Sequence, residues 1–271
     1  MKKLSRNALV ILFSLIMAQA LLPTFITPAQ AANFTAGTWS ELQTAMTAAI
    51  GHADAASTIT ITATIALPQA NCSLNGTGKT ITLLRGTSSV LIQIGSYTTL
   101  TLSNIIIDGN KNAYPGNTTR LLNMDTGGYT GTLTISSGTI VRNNAGGGIQ
   151  IIGGTFNMNS GEISSNSTSG LNNDGAGVRN SGTFTMSGGI ICNNSISGGY
   201  GGGVANFSTF NMADGEINGN ASTDADGVYN FAGTFTMTSG KINGNSGGNG
   251  AGVFNNSRFT MTGGEINNNN R

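Results

Sequence analysis

The second half of the chain repeats one short pattern six times. Each copy has an apolar residue, an isoleucine five positions later and an asparagine three positions after that. The apolar residues that start the copies are Ile135, Met158, Met186, Met212, Met237 and Met261. Successive copies begin 23 to 28 residues apart. A unit this short cannot bury its own apolar face, so the copies must stack on one another.

Each unit contains two short runs with the alternation of a β-strand. In Thr183-Phe184-Thr185-Met186, Phe and Met fall on one face and the threonines on the other. The second run is Gly-x-Ile, as in Gly161-Glu162-Ile163. A third apolar position precedes each start and is occupied by Ile149, Val178, Val204, Val228 and Val253. Three inward positions per turn of ~25 residues predict an all-β coil of stacked parallel strands.

The recurring asparagines predict a ladder along one turn of the coil. Asparagine tolerates the left-handed conformation of a tight turn, and its side-chain amide bonds neighbouring backbone groups. Stacked amides can also bond to one another. The predicted ladder consists of Asn110, Asn143, Asn166, Asn194, Asn220, Asn245 and Asn269. Asn110 belongs to an earlier copy with Leu102 and Ile107, so we expect the coil over residues 57–271, with the clearest repeats over 131–271.

Residues 1–31 are typical of a secretory signal peptide. Lys2, Lys3 and Arg6 form a basic start, an apolar stretch follows, and Ala29-Gln30-Ala31 is a small-residue cleavage signal. A membrane anchor is the alternative interpretation. No later stretch is apolar enough to span a bilayer. The sequence therefore predicts a protein that is secreted or held at the cell surface.

The charge of the chain argues against a nucleic-acid partner. Removing the predicted signal peptide leaves nine basic and eleven acidic residues, a net charge of −2. Proteins that bind nucleic acid need an excess of positive charge to meet the phosphates. We expect no nucleic-acid partner.

Residues 32–56 form the predicted N-terminal segment, with a helix over residues 37–50. Thr38 or Ser40 can cap this helix, and Trp39, Leu42 and Met46 recur at helical spacing. The end of a coil exposes apolar side chains and unpaired strand edges, so a helical lid is needed there. Trp39 is interpreted as part of the lid rather than as a sugar-stacking platform.

The two cysteines are not expected to form a disulfide. An exported protein favours disulfides, but Cys72 falls in an early coil and Cys192 several coils later. At ~4.8 Å per coil they are too far apart for a bridge, which needs Cα atoms within ~7 Å.

Three motifs carry a family resemblance. Gly-Gly-Gly-Val at 201–204, Thr-Phe-Thr-Met-Ser-Gly-Gly at 183–189 and Ile-x-x-Asn at 191–194 resemble the repeats of bacterial parallel β-helix surface proteins. These are often called adhesin-like and share an architecture with pectate lyases. The opening Trp39-Ser40-Glu41-Leu42 and the strand at 58–65 are similar to the start of such proteins. The resemblance covers residues 37–271.

The resemblance implies a right-handed parallel β-helix with an N-terminal capping helix and a structural or adhesin-like role. Its expected partners are glycans or the surface of a host or neighbouring cell. No cofactor and no metal is expected.

Candidate binding residues lie in the loops that vary most in length. The gap between the column asparagine and the next inward Val or Ile ranges from 6 to 12 residues, while the rest of the unit hardly changes. Insertions therefore gather along one edge, where solenoids usually form binding surfaces. The candidates there are Asp174, Arg179, Tyr200, Asp224 and Asp226.

A polysaccharide lyase or glycoside hydrolase is the alternative function. Glycosidases need two carboxylates around one sugar bond, and the only histidine, His52, lies beside the helix. The repeated acids are expected in one outward column, which runs through Thr139, Glu162, Ile190, Glu216, Lys241 and Glu265. That mixture favours a solvated, charge-balanced face and hence a non-catalytic module.

A threonine array suggests ice binding as a third function. The outward positions of the Thr-Phe-x-Met strands are Thr132 and Thr134, Thr155 and Asn157, Thr183 and Thr185, Thr209 and Asn211, and Thr234 and Thr236. A flat Thr-x-Thr lattice on a β-helix is how several ice-binding proteins contact ice. Threonine is also a favourable residue on any exposed strand, so both interpretations stay open.

Overall fold

The computed structural model describes residues 31–170 and 174–270. The predicted signal peptide lies outside the described residues, except for Ala31. Within the described ranges, no helix has the length and apolarity needed to cross a membrane.

The described chain forms one helix and a succession of short strands. The helix, α1, spans Trp39–Gly51. The strands of the first half are β1 (Ala32–Ala36), β2 (Ala56–Ile61), β3 (Ile65–Ala66), β4 (Asn71–Asn75), β5 (Thr80–Arg85), β6 (Ile92–Ile94), β7 (Thr99–Ser103), β8 (Ile105–Asp108), β9 (Leu122–Met124), β10 (Thr132–Ile135) and β11 (Ile140–Arg142).

The strands of the second half are β12 (Ile149–Ile151), β13 (Thr155–Met158), β14 (Glu162–Ser164), β15 (Ser167–Ser169), β16 (Val178–Asn180), β17 (Thr183–Cys192), β18 (Ser195–Ser197), β19 (Val204–Asn206), β20 (Thr209–Asn218), β21 (Val228–Asn230), β22 (Thr234–Met237), β23 (Lys241–Asn243), β24 (Val253–Asn255), β25 (Arg258–Met261) and β26 (Glu265–Asn267).

These strands build a parallel β-helix of about nine coils. One sheet, named the valine sheet, contains β3, β6, β9, β12, β16, β19, β21 and β24. The other large sheet has two rows of parallel strands, which join where β17 and β20 contain both runs of the repeat. The predicted fold class of a parallel β-helix with an N-terminal helix is confirmed.

The interior consists of columns of identical side chains. Phe184 lies opposite Phe156 on one side and Phe210 on the other in the strand register. Their rings stack at 4.7 and 4.6 Å between centroids, and all three are fully buried. Met and Ile of each copy stack in the same way. The core is therefore continuous along the coil, because each side chain packs on its counterpart.

Helix α1 packs on the N-terminal end of this core. Thr38 is its N-cap, and its hydroxyl oxygen accepts from the Glu41 N–H while the Glu41 carboxylate accepts from the Thr38 N–H. Leu42 and Met46 are buried, and Trp39 packs half-buried against the core. A strand missed by the sequence analysis, β1, precedes the helix and pairs in parallel with β2. The helix position agrees with the lid predicted from sequence.

The turn that follows Ile135 is one residue longer than the turn that follows Met158, and this shifts the register of the next strand. Val141, not Ile140, lies opposite the inward Ile163. Ile140 lies opposite Glu162 and takes the outward position that the sequence analysis gave to Thr139, whose side chain is fully buried. Five residues separate Ile135 from Val141, whereas four separate Met158 from Ile163. Because of this extra residue in the turn, the sequence analysis assigned the inward and outward positions of this strand wrongly.

The same extra residue changes which asparagine occupies the ladder position. Asn144, not Asn143, is buried at the ladder position, and its N–H donates to Oδ1 of Asn166. Asn143 has a φ of 59° and donates its side-chain amide to Asp108 instead. The observed ladder continues through Asn166, Asn194, Asn220, Asn245 and Asn269.

Asn110 also lies outside the ladder. Its φ is 48°, and its side-chain amide donates to the carbonyl of Arg85. After Asn110 the chain makes a long excursion before the next valine-sheet strand. Asn117, on that excursion, is buried and donates to Oδ1 of Asn144. The ladder position is therefore filled from the loop, which spacing along the repeat does not reveal.

A second ladder runs along the end of the valine sheet. The last four strands of that sheet, β16, β19, β21 and β24, each end in an asparagine two positions after the inward Val. Nδ2 of one asparagine donates to Oδ1 of the next at 2.6 to 2.8 Å. Its members are Asn180, Asn206, Asn230 and Asn255. The Val-x-Asn spacing in the sequence contains this signal, which the sequence analysis missed. Both ladders fix the turns from which the surface loops emerge.

Candidate functional site

The outward column of the valine sheet changes character along the coil. Because side chains alternate along a strand, one residue per strand points away from the core. In register order these residues are Gln93, Asn123, Gln150, Arg179, Ala205, Tyr229 and Phe254. The column begins with amides and ends with a cation and aromatic rings. Its C-terminal half is the most chemically distinctive surface of the described chain.

Five rings form a cluster there, named the aromatic patch. It comprises Tyr200, Phe207, Tyr229, Phe231 and Phe254. Tyr200 and Tyr229 stack with 4.7 Å between centroids, and Tyr229 also lies 5.8 Å from Phe254. Phe207 meets Tyr229 edge-on at 6.4 Å and Phe231 at 5.8 Å. Phe231 is 46% exposed, whereas Tyr229 is buried and Tyr200, Phe207 and Phe254 are half-buried around it. The small Ala205 leaves room for these rings to approach one another over the sheet.

Arg179 extends the patch towards the N-terminus. Its guanidinium carbon lies 4.6 Å from the centroid of the Phe207 ring, a cation–π arrangement. Its Nη1 contacts the hydroxyl of Ser181 at 3.5 Å. Within the described ranges, no carboxylate lies at salt-bridge distance from Arg179. The patch therefore offers a positive group beside apolar rings.

Asp174 fixes the loop that carries Tyr200. Its Oδ1 accepts the N–H of Tyr200 at 2.9 Å, and its carbonyl accepts from Nη2 of Arg120 at 3.0 Å. Burial raises the pKa of the Asp174 carboxyl, while the Tyr200 N–H and the charges of Arg179 and Arg120 oppose that rise. Asp174, Arg179 and Tyr200 are thus brought together, as a structural support for the patch.

Asp224 and Asp226 lie in the next loop with partners of their own. Asp226 is fully buried, and its Oδ1 accepts the N–H of Ser222 at 2.5 Å. Its Oδ2 has no hydrogen-bond partner among the described residues. Oδ1 of Asp224 accepts from the side chain of Asn249 at 3.3 Å. Burial raises the pKa of the Asp226 carboxyl, and the neighbouring Asp224 charge adds to it. Both acids organise this loop.

The two buried acids, Asp174 and Asp226, have structural partners in the loops. General acid–base catalysis needs carboxylates that converge on one bond. Asp174 accepts a backbone N–H from the loop of the next coil, and Asp226 accepts one from its own loop. In the part of the chain that the structure describes, no three His, Cys, Asp or Glu side chains are grouped to hold a metal ion.

The sequence analysis placed Arg179 in a loop, but the structure places it on strand β16. The sequence analysis also missed most of the rings of the patch. Phe207, Tyr229, Phe231 and Phe254 were not singled out, and neither was Arg120. Tyr229 and Phe254 share the middle position of the Val-x-Asn motif with Arg179. That alignment is the signal that could have found them.

The repeated acids line a separate, solvated surface, named the acidic column. It runs through Ile140, Glu162, Ile190, Glu216, Lys241 and Glu265. Nζ of Lys241 lies 3.6 Å from Oε2 of Glu265, and both side chains are more than half exposed. Such an exposed ion pair contributes little to stability.

A third surface, named the threonine face, is the regular outer side of six consecutive coils. Ten of its twelve outward positions are threonine, and each lies in register with the next. These positions are Thr99, Thr101, Thr132, Thr134, Thr155, Asn157, Thr183, Thr185, Thr209, Asn211, Thr234 and Thr236. Thr99 and Thr101 extend the array found in the sequence by one coil. Arg258 interrupts it on the next coil.

Comparison with known proteins found no match for this chain. No protein-family model matches the chain, and no curated protein and no solved structure matches it either.

Proposed function

We propose that the chain is an exported, non-catalytic β-helix module that binds glycans through the aromatic patch. The observation that carries this proposal is the cluster of five rings on the outer valine sheet, with Arg179 against Phe207. Aromatic rings offer apolar faces to the C–H groups of sugar rings, and Tyr hydroxyls bond at their edges. Tyr and Arg are also among the side chains that most often contribute a large share of the binding energy at interfaces.

The extent of the patch supports an elongated ligand. Its residues come from four consecutive coils, those of Arg179, Ala205, Tyr229 and Phe254. Coils follow one another at ~4.8 Å, so the patch extends roughly 15 Å along the axis. A polymer chain lying along the coil can contact all four coils at once.

Arg179 supports an acidic rather than a neutral glycan. A guanidinium presents a planar fork of N–H donors that matches a carboxylate. Nε of Arg179 is buried, so the terminal nitrogens are the donors that a uronic acid would meet. No described carboxylate lies at salt-bridge distance to compete for them. An acidic polysaccharide of a cell wall or cell envelope fits both the rings and the charge.

The test is binding of oligogalacturonate and oligoalginate to the exported chain, measured by calorimetry. Phe231→Ala and Arg179→Gln should each weaken binding about tenfold, equivalent to ~1.4 kcal/mol. Ile190→Ala is the matched control, because Ile190 is also an exposed apolar residue but lies in the acidic column. Equal affinity in all four proteins, or no binding by the parent chain, contradicts the proposal.

The same samples test the lyase or hydrolase alternative. Products are assayed as new reducing ends and as unsaturated sugars, with and without calcium. Cleavage that disappears in Asp174→Asn or Asp224→Asn, in protein that remains folded, overturns the non-catalytic proposal. We expect the oligosaccharides to be recovered intact.

Ice binding through the threonine face is the second candidate, and one observation favours it. If threonine reflected strand propensity alone, it would be as common on other exposed strands. Over the coils of the threonine face, the outward column of the valine sheet from Gln93 to Phe254 has no threonine, nor does the acidic column from Ile106 to Glu265. Threonine enters the acidic column only in the earlier coils, at Thr82 and Thr58. Along these six coils threonine is thus concentrated on one face, with stiff side chains repeated at ~4.8 Å between coils.

Growth of ice crystals in the presence of the protein tests this candidate. Thr183→Lys should abolish any shaping of the crystals, because a long charged side chain breaks the flat lattice. Gln150→Lys places the same charge on the valine sheet and should leave shaping intact. Unshaped crystals with the parent protein remove this candidate.

A further inference from the structure

Two exposed tyrosines form a pair on the N-terminal half of the coil. Tyr97 is 56% and Tyr129 58% exposed, and their ring centroids lie 5.2 Å apart with planes tilted by 38°. They come from successive coils, in the turns that lead into Thr99 and Thr132. Burial of the rings cannot explain why two large aromatic residues occur there, since most of each ring faces solvent.

The backbone of Tyr97 adds an energetic cost. Its φ is +57°, in the left-handed region that bulky residues rarely adopt. Of the seven other described non-glycine residues with positive φ, five are asparagines, which tolerate this region. The remaining two are Thr77 and Ser165. The Tyr97 N–H donates to the carbonyl of Thr130 at 2.5 Å, which holds the turn in place. Strain of this kind, at ~1–3 kcal/mol, tends to occur at ligand-binding positions.

The pair borders a shallow depression of about 480 Å³. Its lining consists of the two tyrosines, threonine side chains and glycines: Tyr97, Gly128, Tyr129, Thr130, Gly131, Thr132, Gly154 and Thr155. Among the residues that the structure describes, no charged side chain lines it. Three coils contribute, so the depression spans roughly 10 Å along the axis. Rings, hydroxyls and exposed backbone are combined here without any ionic group.

We propose that Tyr97 and Tyr129 form a second sugar-binding site, selective for a neutral glycan. The inference deepens the proposed glycan-binding function, on which it rests. Tyrosine rings stack on the apolar faces of sugar rings, while their hydroxyls and those of Thr130 and Thr132 bond sugar hydroxyls. The absence of charge in the lining removes any advantage for a uronic acid. The aromatic patch, with Arg179, begins two coils further along and is proposed to bind an acidic glycan instead.

The decisive variants are Tyr97→Asn and Tyr129→Ala in the full exported chain. Asparagine tolerates a positive φ, so Tyr97→Asn keeps the turn while removing the ring. We expect its thermal midpoint to equal or exceed that of the parent. We expect its affinity for neutral cello- and manno-oligosaccharides to fall about tenfold, and Tyr129→Ala to show the same loss. Phe231→Ala is the matched control and should bind these neutral oligosaccharides normally.

The outcomes separate the two sites. Loss of neutral-sugar binding in both tyrosine variants, with oligogalacturonate binding retained, supports the second site. Unchanged neutral-sugar affinity in both variants overturns it, whatever Phe231→Ala does to the acidic glycan. A parent chain that binds no neutral oligosaccharide also overturns it, and the proposed function then stands or fails on oligogalacturonate alone. A fall in the thermal midpoint of Tyr97→Asn as large as that of Tyr129→Ala would assign Tyr97 a structural role instead.

Discussion

Nδ2 of Asn194 donates to Oδ1 of Asn220 across 3.0 Å, and the backbone N–H of Asn194 donates to the same oxygen. Nδ2 of Asn220 in turn donates to the carbonyl of Ile191 at 2.9 Å. Both asparagines are fully buried. The Asn220 side chain thus satisfies two backbone groups of the preceding coil at the turn. Such a turn could not be buried without it, because unpaired polar groups are costly away from water.

Replacing Asn220 by leucine should destabilise the coil. The substitution leaves the Asn194 N–H and the Ile191 carbonyl without their present partner, at about 1–3 kcal/mol for each buried group left unpaired. Urea unfolding measures the loss. Asn211→Thr is the control, because Asn211 lies on the threonine face, and it should change stability by less than about 0.5 kcal/mol. An Asn220→Leu protein as stable as the parent would falsify the ladder's structural role.

Truncating Phe184 tests the stacked core. Its ring is fully buried between Phe156 and Phe210. Phe184→Ala should cost about 3–5 kcal/mol, because the rigid neighbouring coils limit collapse into the cavity. Thr185→Ala, at the adjacent outward position, should cost far less. A similar urea midpoint for the two variants would show that the inward and outward faces are reversed.

The sequence predicted the coil well because its period is a direct consequence of packing. The apolar residue at each copy start, Phe184 and the Val-x-Asn positions must stack on their counterparts, so their spacing encodes the fold. The register predicted for Ile140 and Asn143 was wrong, because a turn can gain one residue without changing the apolar pattern. Asn117 takes a ladder position from inside a loop, and no repeat spacing marks it.

The candidate site was less predictable for a related reason. Asp174 and Tyr200 are far apart in the sequence, and they meet because the loops of successive coils stack. Phe207 and Phe231 each directly follow a Val-x-Asn motif, a shared spacing that the sequence analysis overlooked. The loop edge could be located from insertions, but the identity of the rings in contact depends on loop conformation.

Cys192 should resist alkylation while the chain is folded. The thiol is buried and unpaired, and burial, followed by the charges of Glu162 and Glu216, raises its pKa to about 11. At pH 8 roughly one thiol in a thousand would then be the reactive thiolate. Iodoacetamide labelling followed by mass spectrometry should modify Cys192 only in urea. Rapid labelling of the native protein at pH 8 contradicts this account.

The buried Asp226 should make stability depend on pH in a defined direction. Burial is the largest cause of its raised pKa, so the native state binds the proton more tightly than the unfolded chain, whose aspartates have a pKa of ~3.9. The contribution of this group to stability is fully present below the unfolded pKa. It is lost as pH rises through the folded pKa.

Asp226→Asn removes the charge and with it this pH dependence. The stability of the variant relative to the parent should be most favourable at about pH 7 and become less so towards about pH 4. Any loss from an altered hydrogen bond to Ser222 is the same at every pH, so only the trend is diagnostic. Asp214→Asn, at an exposed position on β20, is the control and should show no comparable trend. Urea unfolding of the three proteins at several pH values measures it. A parallel pH dependence in the parent and in Asp226→Asn would mean that the carboxyl is ionised without penalty where it lies.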